Sequence, residues 1–389
     1  MRDTGQHLFP TMESVIFGRP CAEVVAEEAE RMGAQRVLLL VSRTLNTTTD
    51  EIEKIRIALG ARFAGVFDGV PQHTTRGAVI AAAKRGLELE ADLIVAVGGG
   101  SVVDAGKMAI MCMEHEIIDV AGLDGFEILM VGGRPRPSAF RTPKAGLIVV
   151  PSTLSGGEYN AGCLVTDERQ HHKHTFFHPM MMPRTIILDP DLVRHTPMQL
   201  WLGSGTRAMD HGLEALMSLR GNPLVDAVVT RGLRLLHDGL LHTKDRFDDV
   251  EMRRTCMFGS WLSAYGLHSR VPMGASHAIG HVLGGTCHVP HFLCTPVMMP
   301  SVLRWNAPVT QGAQALIAEA LRAPNGDAAS AFEAFVGKLG LPTRLSAVSV
   351  GHDQFERIGE LTMTELFATT NPRQIRGPAD VIEILELAA

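Results

Sequence analysis

The stretch LIVAVGGGSVVD, Leu93–Asp104, decides the fold. Its five leading residues are apolar without alternation, which reads as a short strand buried on both faces. Gly98, Gly99, Gly100 and Ser101 follow, and then a helical segment, Val102–Met113. Glycines let backbone N–H groups approach a phosphate with no side chain in the way, and the helix N-terminus adds the positive end of its dipole. Asp104 falls in the first helical turn, where a carboxylate is favoured. The pattern is neither GxGxxG nor a P-loop, which needs GK[ST]. A bare strand–helix turn would also take glycines, but the strand–GGGS–helix context favours the phosphate reading.

Outward from this loop the same texture repeats. Val37–Val41 (VLLLV), Leu147–Val150 (LIVV) and Thr185–Leu188 (TIIL) read as further buried strands, with helical patterns at Ala22–Met32, Thr49–Leu59 and Arg76–Leu89. Continuous apolar strands separated by helices predict a parallel sheet covered on both faces. Hydroxyls and glycines in the loop PSTLSGGE, Pro151–Glu158, stand at a strand's carboxyl end, where open α/β sheets bind ligands. Beyond Asp189-Pro190 strand-like runs vanish and helical periods dominate, from Gly205–Leu219 to Ala379–Leu387. The expected organisation is therefore an α/β domain over 1–190 and an all-α domain over 191–389. The length of 389 residues agrees, since single cores stop growing near roughly 250–300 residues.

Composition narrows the function. Hydrophobic residues make up 46% and charged residues 20%, an ordinary globular balance. The formal net charge of −6 argues against a nucleic-acid partner, which needs a basic face. No apolar run approaches the ~18 residues that span a bilayer, and the N-terminus lacks an apolar signal core. The six cysteines form no CxxC pair and read as reduced thiols of a cytosolic protein.

In the helical half, Arg207 and His211 are four residues apart, as are His277 and His281, so each pair shares a helix face. His291 follows in VPHF. A lone histidine is more often a satisfied core group than a ligand, but this clustering is less easily dismissed. Three imidazoles make a good divalent-metal set. Arg207 stands where a carboxylate would complete it, and a guanidinium cannot ligate a metal. The run His171-His172-Lys173-His174 reads as a solvated loop, with Lys173 reaching toward a cofactor.

Taken in order, GGGS with Asp104, PSTLSGGE, TIILDPDL, GTRAMDHGLEAL, GASHAIGHVLGG and VPHF resemble the iron-containing (group III) alcohol dehydrogenases over nearly the whole chain. VIFG at Val15–Gly18, RFAGVFDGVPQHT at Arg62–Thr74, HVLGG at His281–Gly285 and NPR at Asn371–Arg373 are most similar to the maleylacetate reductase branch. The resemblance implies a dinucleotide-binding α/β domain and a helical domain, the architecture shared with dehydroquinate synthase, with the active site in the cleft between them. It implies NADPH or NADH as cofactor, a small oxo-acid substrate, a homodimer and a cytoplasmic location. Carried over by position, Gly98, Gly99, Gly100 and Ser101 hold the pyrophosphate, and Ser152, Thr153 and Lys173 flank the rest of the cofactor. His211, His277 and His291 match metal-ligand positions, and His281 matches the histidine near the reacting carbonyl.

Two departures shape the expectation. Arg207 replaces the aspartate of metal-dependent members, and a guanidinium on that face would repel a divalent ion, so a bound metal is expected to be absent. Ser42-Arg43 stands where NAD-specific members often carry a carboxylate, which would repel a 2′-phosphate, so NADPH is expected to serve at least as well as NADH. The expected reaction is hydride transfer to a ketone carbon, with Arg207, His211 and His277 providing positive charge and His281 the proton. A metal-dependent alcohol or hydroxyacid dehydrogenase is the alternative. A lyase resembling dehydroquinate synthase and a non-catalytic cofactor-binding protein stand behind it.

Overall fold

The computed structural model describes residues 6–9, 11–131, 134–136, 138–169, 172–323 and 326–389. The chain forms two compact units, Pro10–Thr196 and, with the N-terminal segment to Phe9, Pro197–Ala389.

The first unit is built on strands β1 (Ser14–Phe17), β2 (Val37–Val41), β3 (Phe63–Phe67), β4 (Leu93–Gly98), β5 (Leu129–Val131), β6 (Arg134–Arg136), β7 (Gly146–Pro151), β8 (Gly162–Asp167), β9 (His172–Phe177) and β10 (Thr185–Leu188). Six of them make one parallel sheet in the order β1-β10-β7-β4-β2-β3. The runs VLLLV and LIVAV lie at its centre and are buried throughout, as their uniform apolarity requires. Helices α1 (Cys21–Arg31), α2 (Arg43–Thr48), α3 (Glu51–Leu59), α4 (Arg76–Glu88) and α5 (Gly100–Glu114) connect them. Val24 and Val25 of α1 and Ile52 and Ile55 of α3 pack with Val37, Leu39 and Val41 of β2. From β2 the chain winds outward to β3, then returns to place β4 on the other side of β2. That reversal opens a crevice at the carboxyl ends of β2 and β4, the position where doubly wound sheets bind ligands.

The edge strands β1 and β3 escape a reading by apolar runs because each is only partly buried, and Gly65 interrupts β3. The antiparallel hairpin β8–β9 escapes it too, since its polar and apolar residues mix. His172, Lys173 and His174 belong to β9 and are not a loop, a correction to the solvated-loop expectation; His171 lies outside the described residues.

The second unit is helical: α6 (Met198–Met217), α7 (Pro223–Asp245), α8 (Val250–Ser263), α9 (Tyr265–His268), α10 (Ala275–Thr286), α11 (His291–Asn306), α12 (Gln311–Ala320), α13 (Ala328–Leu339), α14 (Phe355–Thr362) and α15 (Pro378–Glu386). Helix α6 is buried from Trp201 to Met217, which makes it the axis of the unit. The stretch Asp249–Leu267 has a continuous helical period in sequence but forms two helices, broken at Ala264. Helix α11 carries Pro296 and Pro300 inside it, a composition that argues against a helix, and burial of nearly every residue from Cys294 onward overrides that penalty. Among the described residues no helix is long and apolar enough to cross a membrane.

Candidate active site

The cofactor candidates gather at the carboxyl ends of the central strands. Gly98 closes β4, Gly99 is the N-cap of α5, and no side chain caps that helix, so its first N–H groups are left to an anion. A Cβ on Gly99 would stand 3.3 Å from Thr153 Cγ2, and one on Gly100 would stand 3.2 Å from Ser155 Oγ. The glycines therefore keep the PSTLSGGE loop close to the GGGS loop. Ser152 N donates to Gly98 O at 2.9 Å, and Ser42 N to Val97 O at 2.9 Å, which fastens three strand ends together. Arg43 opens α2 on the surface, and its side chain makes no ion pair among the described residues.

Ser101 is tied to Gln72 O through its hydroxyl, and its carbonyl accepts from Thr74 Oγ1 at 3.0 Å. Thr74 O in turn accepts from Thr166 N at 2.8 Å, so the β8–β9 hairpin is pinned to the glycine loop. Lys173 lies opposite Thr166 in that hairpin, and its ammonium is among the charges acting on Asp104. Burial pushes the Asp104 carboxyl up to about 6, against the pull of Lys107 and a hydrogen bond from Leu164 N. An uncapped helix start, a glycine cradle and flanking hydroxyls fit a dinucleotide's phosphates.

The helical unit holds the other candidates in one row, buried at His211, His277 and His281 and half-buried at His291. The rings of His211 and His277 are 5.0 Å apart, those of His277 and His281 6.3 Å, and those of His281 and His291 6.2 Å. Helix α10 places His277 one turn before His281, α6 supplies His211, and His291 opens α11. Arg207 is buried on α6 and donates from Nη1 to Asp210 Oδ2 at 2.8 Å and to Thr295 Oγ1 at 3.5 Å. Its Nε and Nη2 make no hydrogen bond among the described residues. Asp210 Oδ2 also accepts from Ser276 Oγ at 2.9 Å and Thr295 Oγ1 at 2.6 Å.

Glu214 accepts from Gly274 N, Ser276 N and His277 Nδ1 at 2.8, 2.7 and 2.7 Å, so it caps the start of α10 and fixes the His277 ring together. Burial and Arg207 push the His277 imidazole down, but Asp210 and Glu214 outweigh them and raise it. Burial, with His277 and Arg207, holds His211 well below the ordinary range. Burial also lowers His281, with Glu365 opposing at 3.0 Å from Nδ1.

The sequence reading does not single out Asp210, Glu214 or Glu365. The four-residue spacing of Asp210 and Glu214 puts them on one helix face and was a legible signal. Glu365 belongs to a turn far along the chain and gave none.

These neighbours change the argument about metal. The expected absence of metal rests on an unopposed guanidinium, but Arg207 is paired with Asp210, and the Glu214 side chain stands in the same cluster. Donor atoms of Asp210, Glu214 and His277 lie within 4.8 Å of one another. His211 Nδ1 and His277 Nε2 are buried without a hydrogen bond among the described residues. The donor chemistry fits a divalent ion, and exclusion by Arg207 is unsupported.

The family profile for iron-containing alcohol dehydrogenase matches residues 12–190, and that for the C-terminal part of the Fe-containing alcohol dehydrogenase family matches 202–389. Maleylacetate reductase 1 of Cupriavidus pinatubonensis is 28% identical over 371 residues, covering 95% of this chain and 93% of its own. A dehydrogenase of Gibberella moniliformis is 28% identical over 410 residues, covering 96% of each. The crystal structure of maleylacetate reductase from Agrobacterium tumefaciens superposes with a TM-score of 0.83 at 25% identity, over 100% of this chain and 98% of that one.

Proposed function

This chain belongs to the iron-containing alcohol dehydrogenase family and is an NAD(P)-linked oxidoreductase, and from that premise we propose that it reduces the ketone of an unsaturated oxo-acid of the maleylacetate type. The observation that carries this reading is Arg207. Its Nη1 is committed to Asp210 and Thr295, while its remaining donors are unspent beside the histidine row. A guanidinium edge held rigidly in this way suits a substrate carboxylate, which it can take bidentately. Bound at the glycine loop, the nicotinamide cofactor supplies the hydride. The protein's own part is to hold the acid at Arg207 and to pass a proton from His281 to the carbonyl oxygen. The relatives named above also support this substrate class, and family resemblance supports a cytoplasmic homodimer.

A second reading, a metal-dependent alcohol or hydroxyacid dehydrogenase, is favoured by the donor group around His277. His211, His277 and His291, or His277 with Asp210 and Glu214, would hold the ion, which supplies Lewis-acid polarisation of the substrate oxygen.

Both readings meet in one screen of oxo-acids, aldehydes and alcohols with NADPH and NADH, followed at the nicotinamide absorbance. We expect oxo-acid reduction with NADPH at least as fast as with NADH, and Arg43→Asp to shift the preference toward NADH by about tenfold, the worth of one charged contact. Strong wild-type discrimination against NADPH would remove Arg43 from the site. Alcohol oxidation lost together with stoichiometric metal on chelation, with no oxo-acid turnover, would establish the second reading.

A further inference from the structure

The turn that follows α14 lies against the histidine row. Its position is fixed by Thr370 Oγ1, which donates to Met273 O at 2.7 Å, and by Asn371, whose Oδ1 accepts from Ala275 N at 3.1 Å and whose Nδ2 donates to Asn306 Oδ1 at 2.8 Å. The segment is thus bonded directly to the start of α10. Phe367 on this turn sits 5.8 Å from the His277 ring and 5.9 Å from the His281 ring. Two residues earlier, Glu365 reaches His281 Nδ1 at 3.0 Å and is 15% exposed. His281 Nε2 makes no hydrogen bond among the described residues, and it is not among the ring nitrogens sealed from solvent. The ring therefore has one nitrogen committed to a carboxylate and the other open.

We propose that Glu365 is the positioning residue for His281, holding the ring in the tautomer that carries its proton on Nδ1 and leaving Nε2 to face the reacting oxygen. A carboxylate can only accept, so the nitrogen it meets must be the donor. The working acid is the imidazolium, protonated from solvent at the open Nε2; in the reduction that Nε2 proton passes to the oxygen of the former carbonyl, and the ring returns to the neutral Nδ1–H form that Glu365 stabilises. This rests on the reading of His281 as proton carrier, and Glu365 itself touches no reacting atom.

The test has two readouts. Long-range proton–nitrogen spectra of histidine-labelled protein, with His281 identified by the signal missing in His281→Asn, report the tautomer without substrate. We expect Nδ1–H in the wild type and in Glu365→Gln, which keeps an acceptor oxygen at the same reach, and Nε2–H or a mixture in Glu365→Ala. Steady-state kinetics on an oxo-acid should show kcat in Glu365→Ala down by about 10–100-fold, the usual cost of removing a group that orients a working histidine, with KM little changed and Glu365→Gln in between. An unchanged tautomer in Glu365→Ala overturns the proposal, as does a changed tautomer with undiminished kcat. A wild type inactive on every oxo-acid sinks the functional reading instead and leaves the tautomer to decide the pairing.

Discussion

Glu158, behind the glycine loop, and Asp210, in the helical unit, are both carboxylates shut away from water, and their environments drive them in opposite directions. Glu158 Oε2 has no hydrogen-bond partner among the described residues. The nearby Lys107 ammonium spends its protons on Gly157 O and Gly162 O at 2.6 and 2.8 Å, so burial wins and the Glu158 carboxyl is pushed up to about 7. Burial presses equally on Asp210. There the His277 imidazole, the Arg207 guanidinium and the Thr295 hydroxyl reverse it and hold the carboxyl below the usual carboxylate range. The same side-chain chemistry at the same depth differs because Asp210 meets two cationic groups and hydroxyl donors, while Glu158 has one backbone N–H and an ammonium already committed to carbonyls. The sheet unit builds its candidate anion site from backbone, and the helical unit builds its candidate site from paired side chains.

The largest effect is expected from unpairing the helical group. Asp210→Leu leaves Arg207 buried without its partner and should cost about 3–5 kcal/mol in a denaturant titration. A loss below about 1 kcal/mol, the range of a surface pair, would mean that Arg207 finds solvent and that the pair is not what organises the site.

Glu158 gives the converse. The group has an ordinary value of 4.5 and is raised to about 7 in the folded chain, so between those values the folded protein keeps a proton that the unfolded chain releases. Stability should then be greatest below pH 4.5, as far as this group is concerned, and should fall as pH rises to about 7, by roughly 3 kcal/mol in all. Glu158→Gln mimics the protonated form and should flatten that slope and raise stability at pH 8. Denaturant melts of both proteins at pH 5 and 8 measure it, and parallel slopes would show that Glu158 is ionised in the fold.

Gly99→Val probes the backbone-built site. A side chain there meets Thr153 and fills the approach to α5, and dinucleotide affinity should fall by about a hundredfold, or 2.7 kcal/mol, with the melting curve little changed. Unaltered affinity in a cofactor titration would place the pyrophosphate elsewhere.

The two regions also differ in how far they could be read in advance. Leu93–Asp104 carries strand, turn and helix start in contiguous residues, so its local chemistry was legible. Arg207, His211, His277 and His281 were legible as pairs, because four-residue spacing is a property of one helix. Asp210 lies between two of them, three residues from Arg207, but its contacts with Thr295 and Ser276 come from other helices. Without Asp210, Arg207 reads as an unopposed cation that excludes a metal; paired with Asp210 it does not.

The sequence by itself determined the buried central strands, the glycine turn, the helical second half and the identity of the clustered histidines. Each of these is carried by periodicity or by residues a few places apart. Tertiary structure decided the rest: the order of the six strands and the crevice between β2 and β4, the helix through Pro296 and Pro300, the contacts of Asp210 with Thr295 and Ser276, the capping of α10 by Glu214, and the carboxylate of Glu365 on His281. Those contacts join residues distant in the chain, and their energies come from burial and from donors that meet acceptors only once the helices have packed, so no local pattern records them.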